Sequence, residues 1–445
     1  MPNGFTGVIL RVDLSSGTIT RQEMPEEFYR TYLGGGALGA YFLLTETTPD
    51  LDPLDPANIL AIAPSVTTGA AISGVSRFSA VALSPLTGAV GEGQAGGKTG
   101  PLIKRAGYDA IVVTGCADRL AYLIVEPDNV TIADARHLAE RPVSEVCTLL
   151  EQQHAEKGWN LSILQCGPAG EKRVRFACLL SDRNDAIGRT GMGAVMGSKN
   201  LRAIVVRARN TDKVAFADPE GLKRLASLGV ERLKTAEFPA TLKAHGTPGI
   251  VGFQSGCGNM ASYNYRTGFH PDHMNLAGDT YDEALGAGFT TCYGCAIGCR
   301  KKMKAETPYP VSDALGGPEF ETLSTLGTNL DIVEITAVAR ANELCNEFGL
   351  DTITMGALAA YVFESMEKGF LAPGQMDNKA LGFGKPEDLF WLIERVGKRE
   401  GPGDVLAEGF QAAIAHFGPG TAPFAIHSRA KGCRRTWRNS NRPRR

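Results

Sequence analysis

The stretch LRAIVVRARNTDKVAFADPEGLKRLASLGVERLK, residues 201–234, decides the fold class, because the hydrophobic period changes inside it. LRAIVVRA is a buried β run, whereas EGLKRLASLGVERLK carries its apolar residues at helical spacing. Upstream, residues 5–210 are mostly short strands. GVILRVDL and TITRQEM flank the turn Ser15-Ser16-Gly17, and AYLIVEP and VTIADA flank Asp128-Asn129, so both pairs read as hairpins. ILAIAPS, FSAVALS and DAIVVTG are further buried strands. Downstream, VEITAVARANELCNEFG, TMGALAAYVFESMEKG, PEDLFWLIERVGKRE and VLAEGFQAAIAHFG read as helices, often closed by glycine. The expected fold is α+β, with a β-rich domain over residues 1–210 and helical structure over 211–432, rather than a regular alternation of strand and helix.

At 445 residues the chain exceeds a single core and should divide into two or three domains. With 43% hydrophobic and 21% charged residues it reads as an ordinary globular protein. No stretch approaches the roughly 18 apolar residues of a membrane span, and the N-terminus enters a strand pattern without a signal core, so no membrane and a cytoplasmic setting are expected. Seven of the ten cysteines are scattered singly, which fits that compartment better than a disulfide framework. The net charge of −2 is uneven. From Lys431 onward there are one lysine and six arginines and no acid, which leaves residues 1–430 with a charge of −9. Charge alone suggests nucleic acid for such a tail, and nothing else in the chain supports it, so no nucleic-acid partner is expected.

Three cysteines cluster in TTCYGCAIGCRKK, residues 290–302: Cys292, Cys295 and Cys299. A cubane iron–sulfur cluster or a tetrahedral zinc site each needs a fourth ligand. His270 and His273, at H-x-x-H spacing, precede the cysteines and leave zinc open. Arg300, Lys301, Lys302 and Lys304 follow them. These charges suit either docking of an acidic electron carrier or a solvated helix face. Four glycine-rich loops also stand out: LGGGALGA (33–40), SGVSRFS (73–79), GQAGGKTG (93–100) and AIGRTGMGAVMGSKN (186–200), the last with Arg189 and Lys199. Glycine lets exposed N–H groups line an anion, so together the loops suggest a large phosphate-bearing ligand, although each alone reads as a turn. LGGGALG does not sit in the alternating context that a dinucleotide fingerprint needs.

The ordered motifs S-x-x-S-R-x-S-x-x-x-x-S-P-L-T-G (73–88), G-G-x-x-G-x-x-[LI]-K-x-A-G-Y-D-A-I (96–111), G-R-x-G-x-G-A-V-M-G-S-K-N-L (188–201), C-x-x-C-x-x-x-C (292–299), G-P-E-F-E-T (317–322) and C-N-x-x-G-L-D-T (345–352) run colinearly along the chain. In this the sequence resembles the aldehyde ferredoxin oxidoreductase family. The resemblance implies tungsten or molybdenum held between two pterins (tungstopterin or molybdopterin), a [4Fe-4S] cluster, Mg bridging the pterin phosphates, a small aldehyde oxidised to a carboxylic acid, and ferredoxin as electron acceptor. It places Arg77, Gln94, Gly96, Gly97, Arg189 and Gly191 at the pterin and its phosphate, with Gln94 where asparagine is expected. Asn346, Gly349, Leu350 and Asp351 match a second pterin motif, D-x-x-G-L-D, with asparagine in place of its first aspartate. Glu319 and Glu321 fall where the family has an active-site glutamate, whose pKa an anionic cofactor should raise. The bland alternative is that either glutamate caps the following helix.

Cys292, Cys295 and Cys299 become cluster ligands by the same resemblance. The family's fourth cysteine comes from a later G-L-C motif that this sequence does not contain. From Cys433 the family pattern stops, and residues 433–445 form an aberrant basic tail. One choice of codons for Cys-Arg-Arg-Thr-Trp, with one base prefixed and the triplets regrouped, reads Leu-Pro-Thr-His-Val, which shows that a frameshift is possible, and a frameshifted tail is the expectation. The alternatives to an aldehyde oxidoreductase are a truncated non-catalytic remnant, or a family member acting on another carbonyl, carboxylate or aromatic substrate. A homodimer is allowed, although the E-x-x-H metal motif of some family dimers is absent at Glu334, where Ile335-Thr336-Ala337 follows.

Overall fold

A computed structural model describes residues 3–428 and 431–432. It is of the α+β class, with two compact units. The first holds the chain up to Ala236, together with Thr291–Ile297 and Glu347–Gly349. The second holds Glu237–Thr290, Gly298–Asn346 and the described residues from Leu350 on.

The first unit is built on two six-stranded sheets. Strands β1 (Val8–Asp13), β2 (Thr18–Glu23), β3 (Leu60–Pro64), β4 (Phe78–Leu83), β5 (Val90–Ala95) and β6 (Ala110–Thr114) form one, in the order β2-β1-β6-β3-β4-β5. Strands β7 (Ala121–Val125), β8 (Val130–Asp134), β9 (Trp159–Cys166), β10 (Leu179–Ser181), β11 (Asp185–Ile187) and β12 (Leu201–Arg209) form the other, in the order β11-β10-β9-β12-β7-β8. Both expected hairpins are present, β1 with β2 and β7 with β8. Each sheet also contains one parallel pair, β1 with β6 and β12 with β7.

Alternation along the strands explains the unbroken apolar runs. Leu10, Val12, Leu60, Ile62, Ile111 and Val113 of the first sheet share one core with Leu123, Val125, Leu164, Ile204 and Val206 of the second. The opposite face of the first sheet, through Ile9, Ala61 and Val112, packs on Phe28, Leu38 and Phe42 of helices. The opposite face of the second, through Ile163 and Val205, packs on the helix Val143–His154. A strand covered on both sides has no solvent face, so it reads as a continuous hydrophobic run.

The K-x-A-G-Y-D segment closes this unit. Asp109 is buried and accepts hydrogen bonds from the backbone N–H groups of Thr6 and Gly7 and from the Thr6 hydroxyl, at 2.8–2.9 Å. Lys104, equally buried, donates to Asp109 at 2.8 Å and to the Gly4 carbonyl at 2.6 Å. Burial, the largest influence, lowers the Lys104 pKa, against the pull of Asp109.

The second unit is helical around Thr352–Glu367, of which Ile353 through Ser365 are all buried. Pro386–Lys398 packs an amphipathic face beside it. Two expectations change. VLAEGFQAAIAHFG is two helices, Pro402–Ala407 and Phe410–Phe417, because Gly409 adopts a φ of 90° between them. Arg300-Lys301-Lys302 is not a helix face but part of strand β14 (Arg300–Met303), paired antiparallel with β13 (Gly286–Thr290), so the helical half contains a hairpin. The basic tail from Cys433, with its proposed frameshift, lies outside the described residues.

Asp109→Ala strips four donors of their acceptor and leaves Lys104 a buried charge without its partner. It should cost about 3–5 kcal/mol, read as a lowered urea midpoint with an unchanged slope.

Candidate functional site

Apart from Arg189 and Gly191, the expected cofactor residues fall into three groups. The first is a cleft of about 240 Å³ in the first unit, lined by Gly35, Gly36, Ser65, Thr67, Arg77, Ser79 and Gln94 among others. Gly35 and Gly36 open the helix Gly35–Glu46, so its unbonded N–H groups and dipole favour an anion there. Arg77 adds a planar, bidentate donor. This places Arg77 and Gln94 together with the LGGGALGA loop.

Arg189 and Gly191 lie elsewhere. In β5 the side positions alternate: Glu92 and Gln94 turn one way, while Gly91 and Gly93 meet Thr190, Met192, Ile187 and the Arg189 carbonyl. Gly191 has a φ of 79° at the start of the helix Met192–Ser198, and a Cβ there would stand 2.2 Å from the Arg175 carbonyl. Its glycine therefore has a packing cause. Lys199, singled out with the same loop, does not face a ligand: its buried amine donates to the carbonyls of Asn58 and Pro56, at 2.5 and 3.0 Å.

The second group is the cysteine loop. Within the first unit, the Tyr293 N–H donates to the Gly97 carbonyl at 3.1 Å and the Ala296 N–H to the Ser73 hydroxyl at 3.0 Å. The Cys292 sulfur lies 2.6 Å from where a Cβ on Gly96 would be. Gly96 and Gly97 thus seat the loop that carries Cys292 and Cys295. Cys299, in the second unit, precedes β14, and its carbonyl stands 2.6 Å from where a Cβ on Gly246 would be. All three cysteines are half-buried. By contrast Cys147 and Cys166 are fully buried, and desolvation pushes their thiols up to about 12, which makes them inert.

Zinc does not fit. Among the described residues no three histidine, cysteine, aspartate or glutamate side chains converge on one ion. The His270 ring accepts the Asp272 N–H through Nδ1 and meets Asp331 and Tyr263 through Nε2, while His273 bonds the His270 carbonyl. A cluster spreads its thiolates around a larger body than a single ion, and the soft donor set of the glycine-seated loop suits it.

The third group lies in the helical half. Gly349, with a φ of 73°, ends the helix Ile335–Phe348, and the Leu350 N–H reaches back to the Cys345 carbonyl at 2.8 Å. Asp351 caps the next helix by accepting from the Ile353 N–H and the Thr354 hydroxyl. G-L-D is therefore a complete stop-and-start signal between two helices, while Asn346 is half-buried on the last turn before it. Glu319 is exposed and Glu321 half-buried. Glu319 stands at the start of the short turn Phe320–Thr322 without capping it; its carboxylate accepts from the Thr247 hydroxyl, whose oxygen accepts the Phe320 N–H at 2.8 Å. Thr247 carried no sequence signal, since the bond spans 72 residues. Lys301 is also tied down: its amine donates to the Ala244 carbonyl at the end of the helix Glu237–His245 and lies 3.8 Å from Asp282. Lys304 remains 61% exposed.

Comparison with known proteins follows this geometry. Residues 9–208 match the profile for the aldehyde ferredoxin oxidoreductase N-terminal domain, and residues 226–434 match that for domains 2 and 3. A tungsten-containing aldehyde ferredoxin oxidoreductase of Pyrococcus furiosus is 36% identical over 422 residues, covering 93% of this chain and 68% of the relative. The chain belongs to the aldehyde ferredoxin oxidoreductase family. Within this family of oxidoreductases, a WOR-like subunit named aliphatic sulfonate oxidoreductase, also from Pyrococcus furiosus, is 30% identical and covers 92% of this chain and 67% of its own length. Among solved structures, the active site complex BamBC of benzoyl coenzyme A reductase with 1,5-dienoyl-CoA superposes with a TM-score of 0.84 at 27% identity, covering 97% of this chain and 66% of that one. The chain thus spans about two thirds of the length of the relatives it matches. No helix among the described residues is long and apolar enough to cross a membrane.

Burial, the largest influence, lowers the Lys199 pKa to about 8. Between that value and the ordinary lysine value near 10.4, the unfolded chain binds the extra proton, so this group makes stability rise with pH. Urea midpoints at pH 8 and 9.5 should show wild type gaining relative to Lys199→Met by about 1–2 kcal/mol.

Proposed function

We propose that this chain is the pterin- and cluster-binding part of a tungsten or molybdenum oxidoreductase that converts an aldehyde to a carboxylic acid and passes electrons to ferredoxin. The observation that carries the reading is the first-unit cleft. There a glycine-opened helix N-terminus, Arg77 and Gln94 offer an anion seat beside a polar wall, as a pterin phosphate requires. Gly35 and Gly36 bring no side chains of their own to that helix start.

When bound, the pterin-held metal and the [4Fe-4S] cluster supply two-electron oxidation of the substrate and release of those electrons one at a time. The chain's own groups have simpler tasks. Arg77 and the N–H groups at Gly35 and Gly36 hold phosphate, with Mg as its counter-ion. Cys292, Cys295 and Cys299 offer thiolates. Aldehyde plus water yields acid, two electrons and two protons, so a base must accept protons. Glu319, which accepts the Thr247 hydroxyl, is the first candidate for that work, and Glu321 is the second. The second pterin motif assigns Asn346, Gly349, Leu350 and Asp351 to the cofactor as well as to the helix joint, and Arg189 and Gly191 to it beside their packing role.

The sulfonate and benzoyl coenzyme A relatives support a second reading, in which the same cofactors serve another carbonyl or an aromatic substrate. Turnover of aldehydes, sulfonates and aromatic thioesters by one preparation separates the two.

Iron, tungsten, molybdenum and zinc should be measured per purified chain. About four irons and one tungsten or molybdenum are expected; zinc alone, or no metal, overturns the assignment. Gly96→Ala, which drives a Cβ into the Cys292 sulfur, should lower iron by about half or more.

A further inference from the structure

The cleft has a carboxylate behind its wall that neither the motifs nor the comparisons assign. Glu92 pairs with Val81 in the β4–β5 register, and its neighbour on the same side, Gln94, pairs with Ser79. One oxygen of Glu92, Oε1, accepts from the Ser79 hydroxyl at 2.9 Å and from the Gln94 amide nitrogen at 2.9 Å. The carboxylate can occupy this place only because residue 36 is glycine: a Cβ there would stand 2.3 Å from Oε1 and 2.7 Å from Oε2. Gly35, Gly36, Ser79 and Gln94 all line the cleft.

The chemistry of the groups sets their orientation. An ionised carboxylate has acceptors only, whereas an amide has a donating and an accepting end. Gln94 must therefore turn its NH₂ to Glu92, which leaves its carbonyl oxygen as the end presented to a ligand. Ser79 has spent its only proton on the same carboxylate and likewise offers lone pairs. Arg77 and the helix start, which carry cationic and N–H groups, line the same cleft. The cleft thus offers donors for an anion and acceptors side by side.

We propose that Glu92 is a positioning residue: admitted by Gly36, it locks the Gln94 amide so that the carbonyl oxygen accepts from an electropositive group of the ligand. That group is an N–H edge of the pterin or a cation carried with its phosphates. The inference rests on the reading of the cleft as a cofactor seat.

A double-mutant cycle tests it, because a residue that acts through another has no effect once the other is gone. Chains of wild type, Glu92→Ala, Gln94→Ala and the double variant are purified with their cofactor, and the pterin remaining during dialysis is followed by its fluorescence after oxidation. Glu92→Ala should release pterin about tenfold faster than wild type, Gln94→Ala comparably, and the double variant no faster than Gln94→Ala. Wild-type release from Glu92→Ala, or multiplication of the two effects, overturns the proposal. Dialysis with a chelator separates the sources. If chelation removes the difference between wild type and Gln94→Ala, a cation faces the oxygen; if the difference persists, an N–H edge does.

A wild type that retains no pterin would defeat the cofactor reading and the ligand half of this one, while the orientation itself is read independently. In the cofactor-free chain, the Gln94 side-chain NH₂ resonances, assigned by their loss in Gln94→Ala, should exchange slowly in wild type and become free-amide-like in Glu92→Ala. Glu92→Gln, which keeps the volume but can donate or accept, should broaden or double them. Resonances indifferent to both substitutions would overturn the lock.

Discussion

A sheet buried on both faces leaves little room for polar side chains, and the first unit contains two such sheets. Leu10, Ile62, Ile111, Leu123 and Val206 fill the space between them, while Ile9, Ala61, Ile163 and Val205 fill the outer layers. Chemistry is therefore displaced to the strand ends and to an edge where apolar alternation fails. That edge is β5, whose sequence VGEGQA has small residues toward the packed loop and Glu92 and Gln94 on the other side. The anion seat follows from this constraint: the helix start at Gly35 and the arginine preceding β4 converge where the core can do without side chains.

Charged groups buried behind these layers serve the architecture. Lys104 with Asp109 fastens the N-terminal strand, and Lys199 gathers three carbonyls from two segments, Pro56 and Asn58 of one and Gly115 of the other. Because each is surrounded by fixed partners, neither is available to a ligand, despite lying in motifs that also contain residues proposed to face one. A motif is thus a mixture of causes. In G-L-D the glycine's positive φ, the buried leucine and the capping aspartate are a full account of one helix joint, before any cofactor is considered.

Much of the fold was legible because its signals are local. The two hairpins, the change of period near residue 215 and the helices closed by glycine all depend on neighbours along the chain. The break at Gly409 was missed because helical spacing continues across it, and only the φ of 90° reveals the interruption. The β13–β14 hairpin was missed because RKKM carries no alternation of its own; register with the segment before the cysteines makes it a strand. In the candidate site, cysteine spacing and glycine loops were visible, whereas Thr247 and Glu92 were not. Thr247 meets Glu319 only through folding, and Glu92 acquires its role from a glycine 56 positions away. Lys301 shows the reverse case, a charge that looked like surface and is instead bonded to the end of a neighbouring helix.

Where a Cβ is missing at residue 96, a sulfur takes its place. Glycine and cysteine are then a single structural character written at two positions nearly two hundred residues apart. A lineage that abandoned the thiol would lose the reason for the glycine, and one that enlarged the glycine would first have to evict the thiol. Descent should therefore treat the two as linked, so that drift at either one records the history of the other.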